Sequence, residues 1–218
     1  MPTPIVQSLE PVARVLDIPG LIDAETDVPG YYVGASSPNF GVWNGAIVYE
    51  SRDAGTNWSR VAVLEQQVGC GLTTTALSTT STVAEDSSGG PYYDTVNDVT
   101  FTLDGYGPLA QMLTVTEAEV EAGWNWVHID DGTSWEIFGF RDVTDNGDGT
   151  WTVSHLLRGL RGTQDSARNS TKAAGASITL LFLAQRLLFP PGPNSPLPPK
   201  WLGAVLTTLS GFTSFVAH

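Results

Sequence analysis

Short runs of alternating or aromatic-rich residues, separated by turn-forming residues, recur in the first part of the chain. The runs are 31–36, 46–51 and 59–65, and the polar segment 52–57 lies between the last two. Alternation with a period of two predicts strands that are buried on one face, and a short connection containing glycine predicts a hairpin. These residues therefore predict a small β-sandwich-like unit.

A second group of strand-like runs follows further along the chain. The runs are 125–130, 133–143 and 150–157, and they are joined by Asp131-Gly132 and by the glycine-rich segment 145–149. Asp-Gly at a two-residue connection favours a hairpin turn in which both central residues have positive φ. The three runs therefore predict a β-meander of antiparallel neighbours.

The run at 133–143 carries apolar residues on both of its faces. Trp135 and Ile137 fall on one face, and Phe138 and Phe140 fall on the other. Because successive side chains of a strand point to opposite faces, a strand with this pattern is covered on both sides. A sandwich, a barrel or a contact between subunits would provide that cover.

Two further segments have recognisable signals. Thr116 and Glu119 have the spacing of a capping box, which predicts the start of one short helix. Residues 71–90 are rich in Thr and Ser and end in two glycines. That composition predicts an edge strand that runs into a linker, and we place a domain boundary near residue 80.

The composition agrees with an all-β chain. The 218 residues include 23 Gly and 14 Pro beside 7 Trp, 6 Tyr and 8 Phe, a mixture typical of short strands joined by tight turns. We predict two small β-sandwich-like or barrel-like modules, a fibronectin III-like one at 1–80 and a second at 81–189. A proline-rich arm with an apolar docking segment follows at 190–218.

The charge is unevenly distributed along the chain. Residues 1–157 carry 22 acidic and 4 basic side chains, a net charge of −18, whereas residues 158–218 carry 1 and 6, a net charge of +5. The acidic body would repel phosphate, so we expect no nucleic-acid partner. The opposite signs favour docking between subunits, or a basic segment that folds back onto its own acidic body.

The candidate catalytic and metal-binding residues all have simpler explanations. Glu117 and Glu119 lie where a helix dipole favours acidic side chains. Asp145 and Asp148 resemble a calcium loop, but the twelfth position of that loop would be His155. The three His and the single Cys share no metal-ligand spacing. We therefore predict no enzymatic activity, no cofactor and no metal site.

One turn has a specific motif. The segment from Ser51 to Trp58 resembles the Asp-box, S-x-D-x-G-x-T-W, which occurs on hairpins of sialidase propellers and other β proteins. In such a turn Asp53 bonds to its own loop, Gly55 adopts a positive φ and Trp58 packs across the hairpin. A single copy cannot form a propeller, so the motif predicts a turn and no sialidase activity.

The sequence LLRGLRGTQDSARNSTKAAGASITLL at 156–181 is similar to a signature near the C-terminus of tail-tip proteins of phages and gene transfer agents of alphaproteobacteria. The family's order of elements also matches. A strand with Glu136, Phe138 and Phe140 precedes the signature, and VYESRDAGTNW, further upstream, resembles the family's LYRS-DGG hairpin. The resemblance covers residues 10–190.

Members of that family are large, trimeric hub or host-specificity proteins whose N-terminal parts include a glycosidase-like barrel and a baseplate-hub module. The part matched here resembles their β-rich C-terminal region. The resemblance implies a non-catalytic structural component of a phage tail tip or baseplate, located in the virion and in the host cytoplasm during assembly. It implies a homotrimer that contacts hub, distal tail and fibre proteins, with a host surface glycan as a further partner.

Two arginines of the signature, Arg158 and Arg161, are candidates for anchoring or for an interface. A guanidinium is suited to bind carboxylates, either of the acidic body or of a neighbouring molecule, and the alternative is a site for an anionic host glycan or phosphate. Gly159 and Gly162, beside them, permit backbone conformations that a Cβ atom would forbid.

The C-terminal residues supply the other interface candidates. Six prolines in 189–200 predict a stiff, extended arm. The uncharged segment 201–217 is short for a membrane-spanning helix and contains polar Thr and Ser, so we favour burial against a partner over membrane insertion. Its interface candidates are Trp201, Leu202, Leu206, Phe212 and Phe215.

A carbohydrate-binding adhesin is the alternative function. In that case Trp124, Trp126 or Trp135 would be exposed and would stack on sugar rings.

Overall fold

The chain folds as an all-β protein in a computed structural model that describes residues 12–21, 30–37, 43, 45–84, 93–104, 112–181 and 185–188. It divides into two units, Met1–Leu188 and Phe189–His218, and the second lies outside the described residues. The elements of the first unit are β1 (Val12–Leu16), β2 (Gly30–Ser36), β3 (Ala46–Glu50), β4 (Ser59–Leu64), β5 (Cys70–Thr73), β6 (Tyr93–Asp94), β7 (Val99–Leu103), α1 (Glu117–Glu121), β8 (Trp126–Asp130), β9 (Trp135–Asp145), β10 (Thr150–Leu157), α2 (Gln164–Asn169), β11 (Ser177–Leu180) and β12 (Gln185–Leu188).

Six antiparallel strands close into a barrel. The order is β10, β7, β5, β11, β8 and β9, and β9 also pairs with β10, which closes the ring. The short strand β6 extends the edge of β10 beyond β7. The barrel is filled by apolar side chains that face inward from these strands, among them Phe101, Val127, Ile129, Phe138, Phe140, Val153 and Ile178.

The predicted meander and the two-faced strand are both confirmed. β8, β9 and β10 are antiparallel neighbours. Phe138 and Phe140 are fully buried in the barrel core, whereas Ile137 is fully buried on the opposite face of β9. Ile137 belongs to a second core, which includes Leu16, Ile18, Tyr32, Val120, Trp126, Leu157 and Leu160.

The helix α1 begins as the capping box predicts and covers the outer face of β9. The Thr116 hydroxyl accepts a hydrogen bond from the backbone N–H of Glu119, and the Glu119 carboxylate accepts one from the backbone N–H of Thr116. Val120 is fully buried against Gly139 of β9. A Cβ atom at Gly139 would lie 2.5 Å from Cγ1 of Val120, so the helix approaches the strand closely because this residue is glycine.

The expectation of an edge strand in 71–90 is wrong for the residues that the structure describes there. β5 pairs with β7 on one side and with β11 on the other, so it is an interior strand of the barrel. A Cβ atom at Gly71 would lie 1.8 Å from the carbonyl oxygen of Thr102, which explains a glycine at this crossing. The domain boundary near residue 80 stays a prediction.

The turn between β8 and β9 differs from the expected Asp-Gly turn. Asp131 donates its backbone N–H to the carbonyl of Ser134, so the two central residues are Gly132 and Thr133. Only Gly132 has a positive φ, of 84°. Asp131 instead stabilises the turn with its carboxylate, which accepts hydrogen bonds from the backbone of Thr133 and Ser134.

Two smaller sheets complete the first unit, formed by strands that precede the barrel in sequence and by β12, which follows it. β2 lies between β1 and β12, and β3 pairs with β4 as the predicted hairpin. A third, small core of Val33, Ala35 and Leu64 connects β2 with the hairpin. The assignment of this part as fibronectin III-like stays a prediction.

Candidate functional site

The signature residues form a tight turn at the end of β10. Gly159 has a φ of 71° and Gly162 a φ of 85°, as the sequence predicts, and Arg161 between them also lies in the left-handed region at 53°. A Cβ atom at Gly159 would lie 2.8 Å from Cα of Gln164. The turn leads directly into α2, so the signature positions this helix beside the barrel.

Arg158 is fully buried, and the carboxylates it binds belong to the same chain. Its Nε donates to Oε1 of Glu136 at 2.6 Å, and its Nη2 donates to Oε2 at 2.9 Å. Its Nη1 donates to Oδ2 of Asp94 at 3.0 Å. Both Nη atoms also donate to the carbonyl of Ser78, at 3.2 and 3.1 Å. These five bonds match the five N–H donors of a guanidinium, so Arg158 connects β9, β6 and the segment after β5.

The partners of Arg158 are themselves fixed by further bonds. The backbone N–H of Gly159 donates to Oε1 of Glu136 at 3.1 Å. Burial acts to raise the pKa of Asp94, but hydrogen bonds from the side chain and backbone of Asn97 and from the backbone of Val96, together with Arg158, bring it below its usual value. The network therefore places the carboxyl groups of two side chains around one guanidinium in the interior.

A second cation, Lys172, is buried near this network. Its ammonium donates to the carbonyls of Ser170 and Ser166 at 2.7 and 3.3 Å. Burial lowers its pKa, Glu136 opposes this effect, and Arg158 adds to it. Lys172 also forms a backbone bridge with Leu77, so it ties the segment before β11 to the segment after β5.

Because Arg158 is buried, it is withdrawn from the interface candidates that the sequence predicts. None of its surface is exposed, so it cannot contact a neighbouring molecule. Its carboxylate partners come from the acidic body, which is one of the two sources expected from the sequence. Arg161 is half-buried, donates to the carbonyl of Leu21 and lies over the ring of Trp126, at 5.3 Å from the ring centroid.

A groove opens beside the signature turn, between α2 and the start of β9. We call it the β9–α2 groove. Its volume is about 710 Å³. Its walls come from the β8–β9 turn, from the signature turn, from α2 and from the segment that follows β1. The lining residues are Pro19, Thr133, Ser134, Trp135, Arg161, Gly162, Thr163, Asp165, Ser166, Asn169 and Ser170.

The walls of the β9–α2 groove are fixed by internal bonds. The Ser166 hydroxyl donates to the carbonyl of Trp135 at 2.6 Å, which fastens α2 to β9. The Thr163 hydroxyl donates to the carbonyl of Leu160 at 2.7 Å and accepts from the backbone N–H of Ile137 at 3.2 Å. The groove is therefore formed before any ligand arrives.

The tryptophans named in the carbohydrate alternative have different environments. Trp126 is buried, and its indole N–H donates to the carbonyl of Val120 at 2.7 Å. Trp124 is 58% exposed but does not line the groove. Trp135 is half-buried and does line it. Of the three, only Trp135 is placed to meet a ligand in this groove.

The Asp-box-like turn has the expected internal bonds. Asp53 accepts from the hydroxyl of Ser51 at 2.9 Å and from the backbone N–H of Asn57 at 2.8 Å, and Gly55 has a φ of 87°. Trp58 donates its indole N–H to the carbonyl of Gly55 at 3.1 Å, but its side chain stays largely exposed. The hairpin also exposes Ile47, Tyr49 and Val61.

The titratable groups elsewhere form no cluster suited to metal binding within the described ranges. The glutamate Glu117 contacts Nε2 of His155 at 2.7 Å, and Glu119 belongs to the capping box. His128 is buried, and burial lowers its pKa to about 4, against a weaker opposing effect of Asp130.

The remaining interface candidates, Trp201, Leu202, Leu206, Phe212 and Phe215, lie outside the described residues. The proline-rich arm lies outside them as well. In the part of the chain that the structure describes, no helix has the length and apolar character required to cross a membrane.

The sequence analysis missed the two acids that bind Arg158. Glu136 carried a usable signal, because it shares a strand face with Phe138 and Phe140, which fill the barrel. A lone carboxyl group on an apolar face needs a polar partner in the interior, and a buried cation is one such partner. Asp94 carried no comparable signal, since its strand has only two residues.

A family model described as Rcc01698-like, C-terminal, matches residues 71–179, which are half of the chain. Rcc01698 is a Rhodobacter protein related to the gene transfer agent. The matched range begins in β5 and ends in β11, so it contains the barrel, the Arg158 network and the signature turn. No curated protein matches the chain.

Proposed function

The chain belongs to the Rcc01698-like, C-terminal family, and on this premise we propose that it is a non-catalytic structural component of a phage tail tip or baseplate. Its place is the virion, with the host cytoplasm as the place of assembly. Its partners are further copies of the chain in a homotrimer and the hub, distal tail and fibre proteins.

One observation carries this proposal: the signature residues are used to connect strands. All five donors of Arg158 are bound to groups of the same chain, and Gly159 and Gly162 serve the turn. A guanidinium that is saturated and buried has no donor left for a substrate. These features support a rigid module that presents its outer surfaces to other proteins.

The exposed hairpin supports assembly with other molecules. Ile47 and Tyr49 are each 52% exposed, and Val61 is 39% exposed, so β3 and β4 present apolar side chains to solvent. Ile47 and Tyr49 are two residues apart on β3 and therefore lie on the same face, and exposed apolar side chains grouped in this way are typical of contact sites between proteins. The hairpin is therefore our candidate for one of the interfaces in the particle.

The test is incorporation into particles. The tagged full chain is expressed in cells that produce the phage or phage-like particle, and purified particles are probed for the tag. We expect the wild-type chain in the tail fraction, and a purified mass of three times 23.2 kDa by light scattering. The double change I47S/Y49S should lower incorporation, and removal of 190–218 should abolish it.

Val96→Ser is the matched control, because Val96 is 90% exposed and belongs to the connection between β6 and β7 and not to the hairpin. This variant should be incorporated like the wild type. Absence of the wild-type chain from purified particles would overturn the proposal.

Carbohydrate binding stays the second candidate function, and a specific observation favours it. The β9–α2 groove is lined by an aromatic side chain together with polar side chains of α2. Such a lining is suited to a host surface glycan, which would give a tail component a role in attachment.

A further inference from the structure

We propose that the β9–α2 groove binds a short, neutral oligosaccharide, with Trp135 contacting a sugar ring and with Asp165 and Asn169 bound to its hydroxyl groups. This inference rests on the carbohydrate-binding candidate and is independent of the assembly role. It assigns the site and the ligand class to one side of the barrel, beside the signature turn.

The size and the rigidity of the groove fit such a ligand. Its volume of about 710 Å³ lies within the range of small-molecule sites, roughly 300–1,000 Å³. The bond from Ser166 to the carbonyl of Trp135 fixes the distance between its two walls. The carboxylate of Asp131 fixes the turn that carries Thr133 and Ser134. A pre-formed groove spares the ligand the cost of ordering loops.

The polar groups of α2 are arranged for adjacent hydroxyls. Asp165 and Asn169 are four residues apart, which places them on the same face of the helix, and both are exposed. The carboxylate accepts hydrogen bonds, whereas the carboxamide both donates and accepts. Vicinal hydroxyls of a pyranose offer the complementary pattern, since each hydroxyl is a donor and an acceptor.

The aromatic wall supplies the other half of the recognition. Trp135 is half-buried, and its packing against the second core orients its ring. Near it lies the ring of His128, with the centroids 5.7 Å apart. A pyranose has one face of C–H groups that packs against an indole ring, while its hydroxyls point to the polar wall. This combination of an aromatic surface with planar polar groups suits a polyhydroxylated ligand.

The charge of the site favours a neutral sugar over an acidic one. The chain carries a net charge of −13, and Asp165 adds a carboxylate to the groove itself. Arg161 also lines the groove, but its guanidinium is engaged with the carbonyl of Leu21 and with the ring of Trp126. An anionic oligosaccharide would therefore meet more repulsion than attraction.

The test uses the full chain and nuclear magnetic resonance. Oligomers of glucose, galactose and N-acetylglucosamine are titrated as neutral probes, and oligogalacturonate is titrated as the anionic probe. The seven indole N–H signals are assigned with single Trp→Phe variants. We expect a saturable shift of the Trp135 signal with at least one neutral probe, no shift of the Trp124 signal, and no saturable effect of oligogalacturonate.

The double change D165A/N169A should weaken that binding by about tenfold or more, because each lost hydrogen bond to a charged or polar group removes a measurable part of the affinity. Both residues are exposed, so the thermal midpoint should be unchanged. Trp124→Ala is the matched control, since it removes an exposed tryptophan outside the groove, and it should bind like the wild type.

Three results would overturn the site: no saturable shift with any neutral probe, a shift of Trp124 in place of Trp135, or unchanged affinity of D165A/N169A. None of them bears on incorporation into particles. The sugar titration therefore tests the groove, and incorporation into particles tests the assembly role, so the failure of one proposal can be distinguished from the failure of the other.

Discussion

The guanidinium of Arg158 and the carboxylate of Glu136 form a two-pronged ion pair, with donor–acceptor distances of 2.6 and 2.9 Å, and neither side chain reaches solvent. Glu136 points from β9 to the end of the barrel core, and Arg158 follows β10 immediately. A buried ion pair adds little net stability over an apolar pair, but the loss of one partner leaves a charge without compensation. The pair therefore makes the fold depend on both residues together.

Glu136→Gln should lower the free energy of unfolding by about 3–5 kcal/mol, the range for a broken buried pair. Gln has nearly the same volume, so the loss reports the missing charge. Urea denaturation of the full chain measures the change. Asp165→Asn is the control, since it makes the same kind of substitution at an exposed residue and should stay within about 0.5 kcal/mol of the wild type. A Glu136→Gln protein as stable as this control would contradict the role given to the pair.

Gly139→Ala should destabilise the chain by about 1–3 kcal/mol, because its new methyl group would overlap Cγ1 of Val120 at 2.5 Å. Val120→Ala should also destabilise it, because it leaves a cavity in the second core. The double variant should lose less than the sum of the two, since the methyl group would occupy the vacated space. A double-mutant cycle by chemical denaturation measures this coupling, and strict additivity would show that α1 does not rest on β9 as described.

Much of the fold could be predicted from the sequence because its signals are local. The strands at 31–36, 125–130 and 150–157 follow from apolar alternation, and the cover on both faces of β9 follows from Trp135, Ile137, Phe138 and Phe140. The position of β5 in the barrel could not be predicted in this way. It depends on the pairing of β5 with strands about 30 and 105 residues away.

The features that the sequence analysis missed depend on contacts between residues far apart in sequence, or on backbone conformations that the residue type does not favour. His155 has a φ of 56°, and at this residue the inward positions of β10 change from Trp151 and Val153 to Leu156. No alternation rule anticipates such a change of phase. The β9–α2 groove was missed for a similar reason. Its walls are separate in sequence, and α2 has no apolar repeat from which a helix could be predicted.

Thr116→Ala should lower the free energy of unfolding by about 1 kcal/mol, because it removes the side-chain half of the capping box. The helix has only five residues, so its first turn is most of its length. Hydrogen exchange of the α1 amides should rise in parallel. Glu121→Ala changes an exposed residue of the same helix without touching the cap, and it should leave both quantities nearly unchanged. Equal effects of the two substitutions would show that the cap does not stabilise α1.

His128 should make the chain less stable as the pH falls from about 6.5 to about 4. Burial lowers the pKa of His128 from 6.5 to about 4, so in this range the unfolded chain binds a proton that the folded chain does not. The free energy of unfolding attributable to this residue is complete above pH 6.5 and declines toward pH 4, by about 3 kcal/mol over the whole range. His128→Phe keeps a ring beside Trp135, whose centroid lies 5.7 Å away, and removes the titration. The urea midpoints of both proteins are measured between pH 4.5 and 7.5. Near neutral pH the midpoints of the two proteins should change with pH in the same way. In acid they should diverge, with the variant losing less stability. Parallel pH profiles would mean that His128 accepts its proton in the folded chain as readily as in the unfolded one. The side chain of His128 would then have to be accessible to water in the folded chain, which would contradict its burial.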